Sequence, residues 1–130
     1  MGETSGASHT HRIVVIEDDP DQRAAMVRYL ALQGWDAEGA GDGREALALL
    51  TNVRPPCVIF LDLMMPGMDG WRFMDALRVR PTLAAIPIVV VSAYGNDESM
   101  RFLGAAEYLH KPFHLARAAE TVRRLCPLGD

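Results

Sequence analysis

The chain has 130 residues, 49% of them hydrophobic and 23% charged, with a net charge of −4, which allows one domain with a real apolar core. The excess of acid without clustered Lys and Arg argues against direct nucleic-acid binding, and no apolar stretch approaches the roughly 20 residues that span a bilayer, so no membrane association is expected. Two cysteines, Cys57 and Cys126, are too few and too differently placed to suggest a disulfide framework, and a reducing, cytoplasmic setting is expected.

Residues 1–10 are small and polar and are expected to be a disordered leader, with 11–126 as the folded domain and 127–130 as a C-terminal tail. A first strand is placed at about Arg12–Ile16, where Ile13-Val14-Val15-Ile16 is apolar throughout, the mark of a strand covered on both faces. Asp19 then suits an N-cap, Pro20 the first helical position and Gly34 the stop of a first helix, with Ala24, Val27, Leu30 and Ala31 as its buried stripe.

A second strand lies near Trp35–Ala40, and Asp42 with Glu45 has capping-box spacing ahead of Ala46, Leu47, Leu49 and Leu50 in a second helix. Cys57–Leu61 reads as a third strand, and Asp69 as the cap of a third helix that turns Phe73, Ala76 and Leu77 inward and closes before Pro81. A fourth strand at about Ile88–Val91, a short helix over about Asp97–Leu103 stopped by Gly104, a fifth strand at about Glu107–His110 and an amphipathic helix His114–Leu125 complete five units. Strands alternating with helices predict an α/β fold, a doubly wound (βα)5 sandwich whose ligands sit at the carboxyl ends of the strands.

At that edge the pattern gathers chemistry. Glu17 and Asp18 follow the first strand, Asp62 the third, Ser92 the fourth and Lys111 the fifth. Three carboxylates so close repel one another unless a cation or protons compensate. Oxygen-only donors fit Mg²⁺ (or Mn²⁺), commonly held by one or two carboxylates, waters and a phosphate. With such an ion present, an Asp62 oxygen could attack a phosphoryl group in line, while Lys111 and Ser92 neutralise and hydrogen-bond its oxygens.

These residues, with Met64-Met65-Pro66-Gly67-Met68-Asp69-Gly70 after Asp62, Ser92-Ala93 and Lys111-Pro112-Phe113, make the chain resemble a response-regulator receiver domain from about Arg12 to Leu125. The resemblance implies a flavodoxin-like fold with strand order 2-1-3-4-5. It makes Asp62 the phosphoacceptor, Asp18 a direct metal ligand, Glu17 a ligand through water and Met64 a ligand through its backbone carbonyl. Ser92, Ala93 and Lys111 would contact the phosphoryl group, Ser92 and Tyr108 would act as the switch pair, and Lys111–Pro112 would be a cis peptide. The implied role is a phosphoacceptor signalling switch and not a turnover enzyme. Its donor would be a histidine kinase or histidine phosphotransfer protein, its target a downstream protein, and its state a monomer or weak dimer.

Two features depart from the family pattern. The interval from Ser92 to Lys111 is about three residues short, so the fourth helix should lose about one turn, and Tyr94 places a ring where it could shield an acyl phosphate from water; Met64 and Tyr94 would thus tune kinetics. The alternative is a receiver module from a hybrid histidine kinase or larger regulator. An aspartyl-nucleophile phosphatase of the haloacid-dehalogenase group fits less well, because its second acid would fall at Met64. A flavodoxin-like electron carrier conflicts with the acids after the first strand, which would repel a flavin phosphate.

Overall fold

The computed structural model of the chain describes residues 11–52, 55–65, 68–93 and 104–126. Five strands, β1 (Arg12–Ile16), β2 (Asp36–Ala40), β3 (Val58–Asp62), β4 (Ile88–Ser92) and β5 (Glu107–His110), pair in parallel in the order β2-β1-β3-β4-β5. Four helices are described, α1 (Pro20–Leu32), α2 (Gly43–Asn52), α3 (Gly70–Arg78) and α4 (Leu115–Leu125). Met64–Met65 and Met68–Asp69 add a small antiparallel ladder after β3. The expected helix over 97–103, with its shortening, and Tyr94 lie outside the described residues, as do the expected leader and tail.

Alternation along the strands divides the core into two layers. Ile13 and Val15 of β1 and Val58 and Phe60 of β3 face α1 and α4, where Met26, Leu30, Ala118, Ala119 and Val122 meet them. Val14, Ile16, Ile59 and Leu61 face α2 and α3, packing with Ala46, Leu50, Phe73, Met74 and Leu77. Every residue of β1, β3 and β4 is buried, which explains why those strands read as unbroken apolar runs.

Local signals fix the helix ends. The Asp19 carboxylate accepts from the backbone N–H groups of Asp21 and Gln22 at 2.9 and 3.0 Å, with Pro20 starting α1, and Gly34 follows the helix at φ 110°. The Asp42 carboxylate accepts from Glu45 N at 2.8 Å, while Glu45 reaches back to Gly41 N, a capping box displaced by one residue.

Two expectations need correction. In α1 the buried residues are Met26 and Leu30, with Val27 half-buried, whereas Ala24 and Ala31 are exposed; alanine fits either face of a helix and carries little phase information. The second correction is covalent: Cys57 and Cys126 form a disulfide with Cα atoms 5.8 Å apart, across a sequence separation of 69. The fold brings the start of β3 and the end of α4 to the same edge, which spacing in the chain does not reveal. The Trp35 indole N–H donates to the Cys126 carbonyl at 3.3 Å beside this link.

Candidate functional site

β1 and β3 are adjacent in the sheet, but their following helices lie on opposite faces. The carboxyl ends of the strands are therefore left open at the point where the winding reverses. There Glu17, Asp18 and Asp62 offer carboxylate oxygens that all lie within 4.8 Å of one another. Glu17 and Asp62 are buried and Asp18 less so.

Lys111, which follows β5, completes the cluster. Its Nζ donates to Glu17 Oε1 at 2.7 Å and to Asp62 Oδ2 at 3.0 Å, so one ammonium bridges two of the three carboxylates. Burial pushes the Glu17 carboxyl above its usual value of 4.5, outweighing the lowering by Lys111 and by the Asp19 N–H, and the Asp62 charge pushes the same way. Burial alone would lower the Lys111 ammonium, but its hydrogen bonds to Glu17 and Asp62 prevail and raise it above 10.5. The cluster thus holds more negative charge than one lysine neutralises, and its hard oxygen donors suit a small divalent cation.

Each remaining residue singled out in the sequence has a definite place where it is described. Ser92 ends β4 and is 1% exposed, Ala93 follows it in the open, and the Lys111 N–H donates to the Ser92 carbonyl at 2.9 Å. Tyr108 lies on β5, half-buried and packed against the α2–α3 layer. The Met64 backbone pairs with Asp69 in the small ladder, and the Lys111–Pro112 bond is cis. A cleft of about 320 Å³ opens beside Glu17, Asp62 and Lys111, with Val15, Met26, Phe60 and Phe113 in its largely apolar wall.

Two arginines went unnoticed in the sequence. Arg12 is buried at the start of β1, with its guanidinium on Glu38 of β2 and on the Leu49 carbonyl at 2.9 Å. Arg23 of α1 donates to the Glu17 carbonyl at 2.8 Å. The only signal for Arg23 was the pair of glycines, Gly39 and Gly41, over which it lies.

This fold and edge define a class of signalling module, and the family model described as "Response regulator receiver domain" matches residues 13–123. The chain belongs to that family. It is 41% identical over 123 residues to the response regulator MprA of Mycolicibacterium vanbaalenii, covering 89% of this chain and 52% of that protein. It is 36% identical over 122 residues to the DNA-binding dual master transcriptional regulator RpaA of Synechocystis, covering 92% and 50%. The chain therefore spans about half the length of these relatives. Among solved structures it is similar to Vibrio cholerae chemotaxis protein CheY4, with TM-score 0.82, 29% identity and coverage of 89% and 98%. It is also similar to Thermotoga maritima response regulator TrrA in complex with Mg²⁺-BeF, with TM-score 0.74, 27% identity and coverage of 88% and 97%. Among the described residues no helix is long and apolar enough to cross a membrane.

Proposed function

We propose that the protein is a phosphoacceptor switch of a two-component or phosphorelay pathway, with Asp62 as the acceptor. The observation that carries this reading is the Lys111 ammonium bridging Glu17 and Asp62, with Asp18 alongside. An Asp62 carboxylate oxygen attacks the phosphorus of a phosphohistidine, the P–N bond breaks, and the leaving imidazole keeps the electron pair and takes a proton. Such transfer needs positioning and charge neutralisation more than a dedicated base. A bound Mg²⁺ or Mn²⁺ would supply neutralisation, held by Asp18, Asp62 and the Met64 carbonyl, with Glu17 acting through water; the Mg²⁺ named in the TrrA complex supports the choice of ion.

In the acyl phosphate, Lys111 and the Ser92 hydroxyl contact the phosphoryl oxygens together with the Ala93 backbone. Movement of Ser92 toward the new anion frees space that Tyr108, two strand positions earlier on the neighbouring β5, rotates to fill, and the outer face of β5 changes for a downstream protein. A Tyr94 ring over the site would slow hydrolysis. The cleft beside Asp62 admits the donor's imidazole between α1 and α4. Since the relatives are about twice as long and one of them, RpaA, is named as DNA-binding, the second reading is a receiver module of a larger regulator, in which DNA contact belongs to another part.

The test is intact-protein mass after incubation with a small acyl phosphate and Mg²⁺. A gain of one phosphoryl group is expected in the parent, and none in Asp62→Asn or in the parent with chelator. Equal gain in Asp62→Asn would move the acceptor elsewhere.

A further inference from the structure

The turn that carries Glu17 and Asp18 is held from three directions. Glu17 N donates to the Ala40 carbonyl of β2 at 2.9 Å, Asp19 N donates to Glu17 Oε2 at 3.2 Å, and Arg23 of α1 reaches back to the Glu17 carbonyl at 2.8 Å. The arginine lies over two positions, Gly39 of β2 and Gly41 after it, that present no side chain beneath it. A Cβ on Gly39 would come within 2.8 Å of Arg23 Cγ and 2.9 Å of its Cδ, and one on Gly41 within 2.9 Å of a terminal guanidinium nitrogen. Side chain and glycines thus form one device, a trough with an arginine laid along it.

The guanidinium meets the main chain of Glu17, whereas Lys111 meets the carboxylates. We propose that Arg23 is a positioning residue, which presets the turn so that Glu17 and Asp18 stand opposite Asp62 for a divalent cation. The proposal rests on the phosphoacceptor reading of the same site. A turn left free to move would spend part of the cation's binding energy on being ordered, and a charge-assisted hydrogen bond made beforehand removes that cost.

Charge alone predicts the opposite result. Deleting a positive group near three carboxylates would strengthen cation binding, an effect that salt screens beyond about 8 Å at physiological ionic strength. The sign of the change therefore separates positioning from bulk electrostatics.

The experiment is calorimetric titration of the whole chain with Mg²⁺ at physiological salt, paired with the Mg²⁺ concentration that gives half-maximal phosphorylation by a small acyl phosphate. Arg23→Met and Gly41→Ala are expected to weaken Mg²⁺ binding about threefold to tenfold, the range of one lost hydrogen bond. The phosphorylation rate at saturating Mg²⁺ should stay unchanged, and Arg23→Lys should recover part of the affinity. Unchanged or tighter Mg²⁺ binding in a folded Arg23→Met or Gly41→Ala protein would overturn the proposal. Should Arg23→Met fail to fold, Gly41→Ala decides alone, because it keeps the arginine and displaces only its tip. A parent that neither binds Mg²⁺ nor gains phosphate would sink the phosphoacceptor reading itself, whereas a competent parent with equally competent variants would sink only the role of Arg23.

Discussion

Glu17 shows how one side chain can be costly to the fold and useful to the site. Its carboxyl titrates above 4.5 chiefly because it is buried, so between 4.5 and that raised value the folded protein holds a proton that the unfolded chain has released. Stability from this group is complete below 4.5 and is lost as pH rises through the folded value. In chelator, Glu17→Gln should therefore gain stability relative to the parent as pH rises above 4.5 and through the raised folded value, as read by urea denaturation across that range. A parallel pH dependence in the two proteins would show that Glu17 is not destabilised by ionisation. The strand-end carboxylates were legible in the sequence because an acid closing an apolar run is conspicuous. Arg23 was not, because a long side chain can reach many places and its position is set by glycines sixteen and eighteen residues further on.

At the level of elements, apolar runs marked β1, β3 and β4 to within a residue, since strands buried on both faces leave no alternation to misread, whereas the short ladder of Met64–Met65 and Met68–Asp69 read as a turn. In α1 the expected Val27 and Leu30 do face the core, while Ala24 and Ala31 do not, because alanine suits either environment, and the buried Met26 was left out. Arg12 was missed for another reason: a charged residue opening a strand reads as an edge, yet this guanidinium sews β1 to β2 and to α2. Its side chain is 7% exposed and that of Glu38 39%, so removing the arginine leaves an acid that water can reach and takes the donor from the part-buried Leu49 carbonyl. Arg12→Met should thus cost about 1–3 kcal/mol, the range for losing hydrogen bonds from a charged donor, and not the roughly 3–5 kcal/mol of a stranded buried charge. Equilibrium urea unfolding with an unchanged slope is the measurement.

Across the whole molecule, the fold class and the convergence at one sheet edge followed from the order of elements, while the covalent topology did not. Cys57 and Cys126 read as unrelated because only the finished sheet puts the start of β3 beside the end of α4. On a chain-entropy account, closing a loop across a sequence separation of 69 disfavours the unfolded state by about 4 kcal/mol, a large share of the usual 5–15 kcal/mol for a domain. α4 needs such help, since the residues it buries are small: Ala118, Ala119, Thr121 and Val122.

That link also decides what the molecule can do under load. Asp62, Ser92 and Lys111 sit inside a closed ring, while Glu17 and Asp18 lie on the open arm that precedes it. A chain gripped at its two ends and stretched can pay out the arm but not the ring. The oxidised protein should therefore unravel to a length shorter than the reduced one by roughly 240 Å, the span of 69 extended residues. Single-molecule extension with and without reductant reads this difference directly, and equal lengths would mean that the ring is not closed.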